Sequence, residues 1–372
     1  MKLTISKENL INGLQAVQNI VGSRSTLPVL SNVLLRAEGE HLELTTTDLD
    51  ISIVSVVPAK VSKNGAATVP VKKFFGIIRE MPAPEVEIAF DDRNVCHLQC
   101  GASYYKINGL GAEEFPPLPK FAEVRKVELP QEKVKGMIRK TSYASSADEA
   151  RYILNGLFFS LKEHKMTTVA TDGRRLAMAE EEVEIPTESQ ADFIVPSKAI
   201  NELNRLMQSS GQVEIKSSQN QAMFTLIDEK KDTVVIISKL IEGTYPNYRQ
   251  VLQPIEGDNK KRISLSREEF LQALRRAEFM TSDKANSVKL QFGNNTLSIT
   301  ANSPDVGEGQ EAIAINYQDA EIAVAFNPVY LMDPLKALDN DEVFFELVDE
   351  LSPGVIRING PFLYVIMPMR TN

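Results

Sequence analysis

The residues able to do chemistry are few. Three histidines serve 372 residues, His41, His97 and His164, and none stands in a triad or metal-ligand spacing. His97 lies between the two cysteines, Cys96 and Cys100, so a metal site is worth weighing. On a strand, the Cys-x3-Cys spacing puts both thiols on one face and His97 on the other. No further cysteine completes a tetrahedral set, so two reduced core thiols are expected. Asp172-Gly173-Arg174-Arg175 sets a carboxylate beside two guanidiniums. The same string reads as an ordinary Asp-Gly turn between strands. There is no Walker loop and no GxGxxG after a strand, so nucleotide binding has no support and no cofactor is expected. The sequence does not read as an enzyme.

Asp172 has a counterpart in Asp48, and both belong to a longer repetition. The segment Val69-Pro70-Val71-Lys72-Lys73-Phe74-Phe75-Gly76-Ile77-Ile78 returns 126 residues on as Val195-Pro196-Ser197-Lys198-Ala199-Ile200-Asn201-Glu202-Leu203. It returns again, weaker and 131 residues further, as Phe326-Asn327-Pro328-Val329-Tyr330-Leu331-Met332. A second marker lies about 20 residues upstream each time: Thr46-Thr47-Asp48, Ala170-Thr171-Asp172 and Thr300-Ala301-Asn302. A third opens each unit: Leu3-Thr4-Ile5-Ser6, Val127-Glu128-Leu129-Pro130 and Ile263-Ser264-Leu265-Ser266. Such a period suits a tandem of whole domains, not a solenoid. A position that recurs from unit to unit, and becomes Asn302 in the third, is read as structural rather than catalytic.

Each unit carries the same elements. A short strand leads into an amphipathic helix, capped by Ser6 in the first unit, with Leu10, Ile11, Leu14, Val17 and Val21 on one face. Ser266-Arg267-Glu268-Glu269 has the capping-box spacing in the third. Period-two strands follow, such as 42–46 and 213–217, with turns at Asn64-Gly65 and Asn294-Asn295. A second helix starts at each Val-Pro or Asn-Pro marker. Helices are predicted at 6–21, 70–81, 130–141, 196–208, 266–278 and 327–338. The fold class is therefore α+β: three repeats of two helices and roughly eight strands. Polar or proline-bearing breaks near 121–123 and 253–258 divide the chain into domains 1–122, 123–254 and 255–372.

Charge is segregated along this plan. The chain is 24% charged and 43% hydrophobic, with a net charge of −9 and a pI near 5.2, which excludes global disorder and a uniformly basic nucleic-acid binder. The six helices nevertheless hold +6, leaving −15 for everything else. A helix-rich surface can thus be positive on an acidic protein, although lysine-bearing helix surfaces are also commonplace. No run approaches ~18 apolar residues, so no membrane span is expected. The N-terminus lacks a signal-peptide core, so a cytoplasmic location is expected.

Several strings, in order along the whole chain, are highly specific: Thr26-Leu27-Pro28-Val29-Leu30-Ser31-Asn32, Val69 to Phe75, Asn155-Gly156-Leu157, Ala170 to Ala177, Glu242-Gly243-Thr244-Tyr245-Pro246-Asn247-Tyr248 and Tyr364-Val365-Ile366-Met367-Pro368-Met369-Arg370. With them the sequence resembles the bacterial sliding clamp family, the beta subunits of DNA polymerase III. The resemblance implies three clamp domains per chain and a head-to-tail homodimeric ring of six. Helices would line the hole and sheets the outer wall. Double-stranded DNA would thread through, and the ring would tether polymerase without chemistry of its own. Implied partners are the DNA polymerase III core, the clamp loader and other clamp-binding-motif proteins.

The resemblance also implies sites. Arg24, Lys72, Tyr152, Lys198 and Arg205 would meet DNA, whose repeating phosphates allow weak contact independent of sequence. A partner-peptide groove would use Leu154, Thr171, Gly173, Arg174, Arg175, Leu176, Pro246, Val251, Val365, Met367, Pro368, Met369 and Arg370. Methionines and aliphatics suit an adaptable apolar pocket, though Met367-Pro368-Met369 alone also fits a terminal strand packed on the core. The dimer interface would bring Tyr105 and Ile107 against Phe279 and Met280, with Lys73 at its rim. Arg174 stands where the family often has histidine, Gln250 where a second basic residue often follows, and Asp148 where a neutral or basic residue would suit DNA better. The chain also continues past Arg370 with Thr371-Asn372. Two other readings compete: a scaffold of tandem domains that binds proteins but not DNA, and an enzyme using Asp172 and Arg175, against which the lack of histidine and cofactor motifs speaks.

Overall fold

The computed structural model describes residues 1–22, 27–119, 121, 125–229, 233–253, 260–283 and 285–370. One succession of elements occurs three times, with two additional short strands in the first. The first runs β1 (Lys2–Ser6), α1 (Lys7–Val17), β2 (Asn32–Glu38), β3 (His41–Thr47), β4 (Ile51–Pro58), β5 (Lys60–Lys63), β6 (Gly65–Pro70), α2 (Val71–Glu80), β7 (Glu85–Phe90), β8 (Val95–Cys100), β9 (Ser103–Asn108) and β10 (Leu110–Gly111). The second runs β11 (Arg125–Pro130), α3 (Gln131–Thr141), β12 (Gly156–Lys162), β13 (Lys165–Thr171), β14 (Arg175–Glu182), β15 (Ala191–Pro196), α4 (Ser197–Leu206), β16 (Gln212–Ser217), β17 (Gln221–Ile227) and β18 (Thr233–Lys239). After the single turn α5 (Arg249–Leu252) come β19 (Lys261–Ser266), α6 (Arg267–Glu278), β20 (Val288–Gly293), β21 (Thr296–Ser303), β22 (Gly307–Ala314), β23 (Ile322–Phe326), α7 (Pro328–Ala337), β24 (Glu342–Leu347), β25 (Gly354–Arg357) and β26 (Phe362–Ile366).

All six expected helices form, with local chemistry at their ends. Ser6 Oγ accepts from the Asn9 N–H at 3.1 Å, and Ser266 Oγ accepts from that of Glu269 at 3.5 Å. The first helix is shorter than its apolar pattern suggests. Thr46 Oγ1 donates to the Val17 carbonyl at 2.6 Å, and Gln18–Ile20 tightens into a 3-10 turn. The marker prolines split two ways. Pro70 and Pro196 close strands, whereas Pro328 enters the first turn of its helix, capped by Asn327.

The strands form four sheets: β5-β1-β7-β8-β9, β10-β6-β2-β3-β4-β18-β17-β16-β11, β15-β12-β13-β14-β26-β25-β24-β19 and β22-β21-β20-β23. The nine-stranded and eight-stranded sheets each cross a repeat boundary. β4 pairs with β18 from Ile51↔Ser238 to Val56↔Thr233, and β14 pairs with β26 from Arg175↔Ile366 to Ala179↔Phe362. Three repeats therefore fold as two compact bodies. One holds Met1–Lys135, Pro186–Ala191 and Lys198–Leu240; the other holds Gly136–Ile185, Asp192–Ser197 and Ile241–Asn372. The expected domain boundaries at 122/123 and 254/255 lie outside the described residues.

Each body has its own core. In the first, Leu10, Leu14 and Val17 of α1 are fully buried, as is Phe74 of α2. In the second, Phe345 stacks on Phe292 at 5.7 Å and meets Phe270 and Phe326 edge-on. Each such side chain contributes about 1.5–3 kcal/mol on burial.

Candidate functional site

The Asp-Gly string is a turn between β13 and β14, and its aspartate is fully committed to it. Asp172 Oδ1 accepts the N–H groups of Arg174 (2.9 Å) and Arg175 (3.1 Å), and Oδ2 accepts Arg175 Nε at 3.1 Å. Gly173 sits at φ +84°, where a side chain is disfavoured. Thr171 Oγ1 accepts from the Gly173 N–H at 3.1 Å and donates to the Arg175 carbonyl at 2.6 Å. Such a carboxylate is a turn-former, not a base. Asp48 does the same work after β3, accepting from the Asp50 and Ile51 N–H groups at 3.0 and 2.8 Å. Asn302, by contrast, lies inside β21, which runs on to Ser303.

Around this turn the candidate groove residues gather in the second body. Leu176 and Val365 form its floor, one core with Val169, Tyr245, Leu252 and Leu363, against which Leu154 and Tyr248 also pack. Phe158 stacks on Tyr245 at 5.0 Å. Beyond the end of β26 the chain stays pinned. The Met367 N–H donates to the Arg174 carbonyl at 2.9 Å, and that of Met369 donates to the Ala325 carbonyl at 2.8 Å. Their side chains face solvent, Met367 45% and Met369 40% exposed, with Val251 also exposed. Gly173, Arg174, Pro246 and Arg370 are exposed and Pro368 half-buried. Exposed methionines beside a core-backed floor suit an apolar ligand.

Leu351, 83% exposed, was not expected there. It tips the loop before β25, whose first residue Gly354 pairs with Ile366, so the tip lies at the Met367 end of the sheet. A lone leucine within Asp349-Glu350-Leu351-Ser352 was the signal that could have found it.

Arg175 is placed differently from its neighbours. Its side chain is 9% exposed and reaches Asp333 Oδ2 at 2.5 Å. It donates to the Tyr143 carbonyl at 2.7 Å and lies over the Tyr330 ring at 4.2 Å. Tyr364 Oη donates to the Tyr330 carbonyl at 2.7 Å, closing the cluster. Burial pushes the phenols of Tyr143, Tyr245 and Tyr364 well above their usual range. Arg175 thus holds the turn that presents Arg174 and Leu176.

The residues expected to meet DNA differ in availability. Arg24 lies outside the described residues. Lys72 is exposed on α2 and joins no ion pair among them. Lys198 pairs with Asp48. Arg205 bonds Glu202 and donates to the Gln15 and Ala16 carbonyls at 3.1 and 2.7 Å, a cation at the C-terminal end of α1. Tyr152 is exposed in the 3-10 segment Glu149–Leu154, which Asp148 caps by accepting from the Ala150 N–H at 3.0 Å. Arg139 is tied to Asp339, and Arg276 to Glu311. Much of the helical positive charge is therefore already countered, which charge counting along the sequence does not register.

The candidate interface residues lie on the edge strand β9, on α2, and after α6 next to the edge strand β22. Tyr105 is exposed on β9 and Ile107 is buried beside it. Phe279, just after α6, is 78% exposed. Met280 lies over Gly309 of β22, where a Cβ would come within 2.8 Å of its Cγ. Lys73 is exposed on α2.

Cys96 and Cys100 are both free and buried on one face of β8. His97 faces the other way, within 2.6 Å of Tyr104 Oη and 3.1 Å of Asp91 Oδ2. Burial pushes the Cys96 thiol up to about 12. At pH 8 native protein should therefore react with iodoacetamide at that thiol at least ~100-fold more slowly than urea-unfolded protein. Equal rates, read by mass spectrometry, would contradict the burial.

The DNA polymerase III beta subunit models match the chain in three consecutive pieces: the N-terminal domain over residues 1–119, the central domain over 128–247 and the C-terminal domain over 253–370. The beta sliding clamp of Chlamydia trachomatis is 34% identical over 370 residues, covering 100% of this chain and 87% of that one. That of Pseudomonas aeruginosa is 34% identical over 375 residues, covering both chains fully. Among solved structures, the DNA polymerase III subunit beta of Pseudomonas aeruginosa matches with TM-score 0.93 at 32% identity, and the DNA polymerase sliding clamp of Bacillus subtilis with 0.93 at 30%, each over 100% of both chains. A further Pseudomonas aeruginosa clamp of TM-score 0.93 and 33% identity was solved bound to griselimycin. Matched from end to end in sequence and in structure, with its three repeats coinciding with three family domains, the chain belongs to the DNA polymerase III beta subunit family.

Proposed function

We propose that this chain is a DNA sliding clamp: a head-to-tail homodimeric ring around duplex DNA that tethers the replicative polymerase and does no chemistry of its own. One observation carries the reading. Sheets join across both internal repeat boundaries, and the two smaller sheets have the edges to do so once more. The outer strand β5 is short and carries Lys60 and Lys63, as a protected edge does, and the free edge of β23 bridges to Met369. That leaves β9 and β22. Joining them between chains would give nine strands, the number in the sheet spanning the first boundary. Tyr105 and Ile107 would then meet the partner's Phe279 and Met280, with Lys73 at the rim.

The three domains of the ring would be 1–122, 123–254 and 255–372. Lys72 and Tyr152 would touch DNA directly, together with Arg24, while Lys198 and Arg205 would reach it from their ion pairs. The groove from Leu154 to Arg370, with Leu351 added, would hold the polymerase III core, the clamp loader and other clamp-binding-motif proteins in turn. Griselimycin would occupy the same groove. The ring would work in the cytoplasm, its acidic exterior repelling DNA from the wrong surface.

Native mass spectrometry should give a dimer. The clamp, loaded by its clamp loader on a nicked circular plasmid, should co-elute with it and be released when the circle is cut. Equal retention on both topologies would sink the proposal, and so would a scaffold-like failure to be retained on either.

A further inference from the structure

The turn after β3 is built on the same plan as the groove turn after β13. Thr47 Oγ1 accepts from the Leu49 N–H at 3.1 Å and donates to the Ile51 carbonyl at 3.0 Å, as Thr171 does with Gly173 and Arg175. Leu49 has φ +79° where Gly173 has +84°. Ile51 pairs with Ser238 as Arg175 pairs with Ile366. The next N–H along the joining strand, of Lys239 or Met367, donates to the carbonyl of Asp50 or Arg174, at 2.9 Å in both. Phe115, buried and followed by Pro116, stands as Tyr245 does before Pro246. The first body thus contains a second copy of the backbone frame that presents the candidate groove in the second body.

The side chains of the two copies differ. Leu176, Val365 and Met367 of the groove correspond to Ser52, Ile237 and Lys239, so the floor keeps one apolar residue and loses the other. Ser52 is turned to a polar partner, its Oγ donating to Thr47 Oγ1 at 2.8 Å. Lys239 Nζ reaches Asp50 Oδ1 at 2.9 Å, whereas Arg174 and Met367 leave their rim open. An apolar ligand laid over this ion pair would have to strip its water. Leu49 is a bulky residue in the left-handed region, which disfavours it, and at 47% exposure its burial does not compensate. Strain of this kind persists where a side chain is needed.

We infer that Leu49 and the Asp50–Lys239 pair close this copy, so that each chain offers one apolar ligand groove instead of two. They are specificity residues: they act by refusing the ligand that the equivalent frame accepts. The inference rests on the groove reading above. It gives a ring of this chain two ligand sites.

The test is a stoichiometry. Native mass spectrometry and calorimetric titration with griselimycin should give one equivalent per chain for the wild type. Leu49→Gly/Lys239→Met should give two, the second within roughly 100-fold of the first. Removing a strained leucine and an exposed lysine leaves the core untouched, so this variant should fold. The reverse graft, Gly173→Leu/Arg174→Asp/Met367→Lys, should lose at least ~10-fold in affinity while keeping its dimer mass, its melting midpoint lowered only by the leucine placed at φ +84°. Two equivalents in the wild type, one in the opened variant, or wild-type affinity in the reverse graft would each overturn the inference. No binding to either the wild type or the opened variant would sink the groove reading and the inference with it. One equivalent in both would sink the inference alone.

Discussion

Deleting residues 367–372 should weaken griselimycin binding by about 10-fold or more while the chain remains a folded dimer. Met367 and Met369 are the largest exposed apolar side chains carried by this terminal segment. Full burial of such a side chain is worth about 1.5–3 kcal/mol, and a ligand can cover only the 45% and 40% still exposed, so losing both removes roughly 1.3–2.5 kcal/mol, or about one to two orders of magnitude. The cost to the fold is smaller. β26 ends at Ile366, and the floor of Leu176, Leu363 and Val365 stays buried behind it. What is lost is the pair of backbone bonds from Met367 and Met369 to Arg174 and Ala325, each worth about 1 kcal/mol. Titration by calorimetry, with native mass spectrometry for the dimer, reads both halves. Affinity within about threefold of the intact chain would refute the assignment of the groove to this segment.

The sequence carried the local parts of this architecture and hid the distant ones. Helix 327–338 was legible because Asn327-Pro328 is a cap followed by a first-turn proline, a signal within one turn of chain. Asp172 was legible as a turn-former because its partners are two and three residues away. The sheet joints are different. Nothing in the sequence of β4, buried on both faces from Ile51 to Ser55, names β18 as its neighbour, since burial does not say which strand lies alongside. Lys198 and Asp48 are 150 residues apart, so a segment-by-segment charge count does not register their pairing. Three repeats likewise gave no hint of two compact bodies, because a joint between repeats is a contact and not a motif. Leu351 is hidden for the same reason: its place at the Met367 end of the sheet comes from the pairing of Gly354 with Ile366, not from its sequence neighbours.

Arg175 marks the sharpest difference between residue type and role, and its loss should be the most damaging single change in the second body. Replacing it by methionine keeps length and apolar packing but leaves Asp172 and Asp333 in one half-buried cluster without a cation. The Tyr143 carbonyl also loses its donor. Removing one partner of a buried ion pair typically destabilises by 3–5 kcal/mol, because the remaining charge stays desolvated. Arg175→Met should therefore unfold at markedly lower urea, with a loss of about 3–5 kcal/mol. Asp333→Asn should be milder, about 1–2 kcal/mol, since Arg175 keeps Asp172, the Tyr143 carbonyl and the Tyr330 ring. Removing both charges, Arg175→Met/Asp333→Leu, should recover part of the loss, because the uncompensated acid is gone. If Arg175 instead served chiefly to touch ligand, the order would invert. Arg175→Met would then melt within about 1 kcal/mol of the wild type and lose binding alone. A buried guanidinium that anchors the turn predicts the reverse: stability falls first, and groove affinity falls with it, because the Arg174 carbonyl that receives the Met367 N–H is the residue next door.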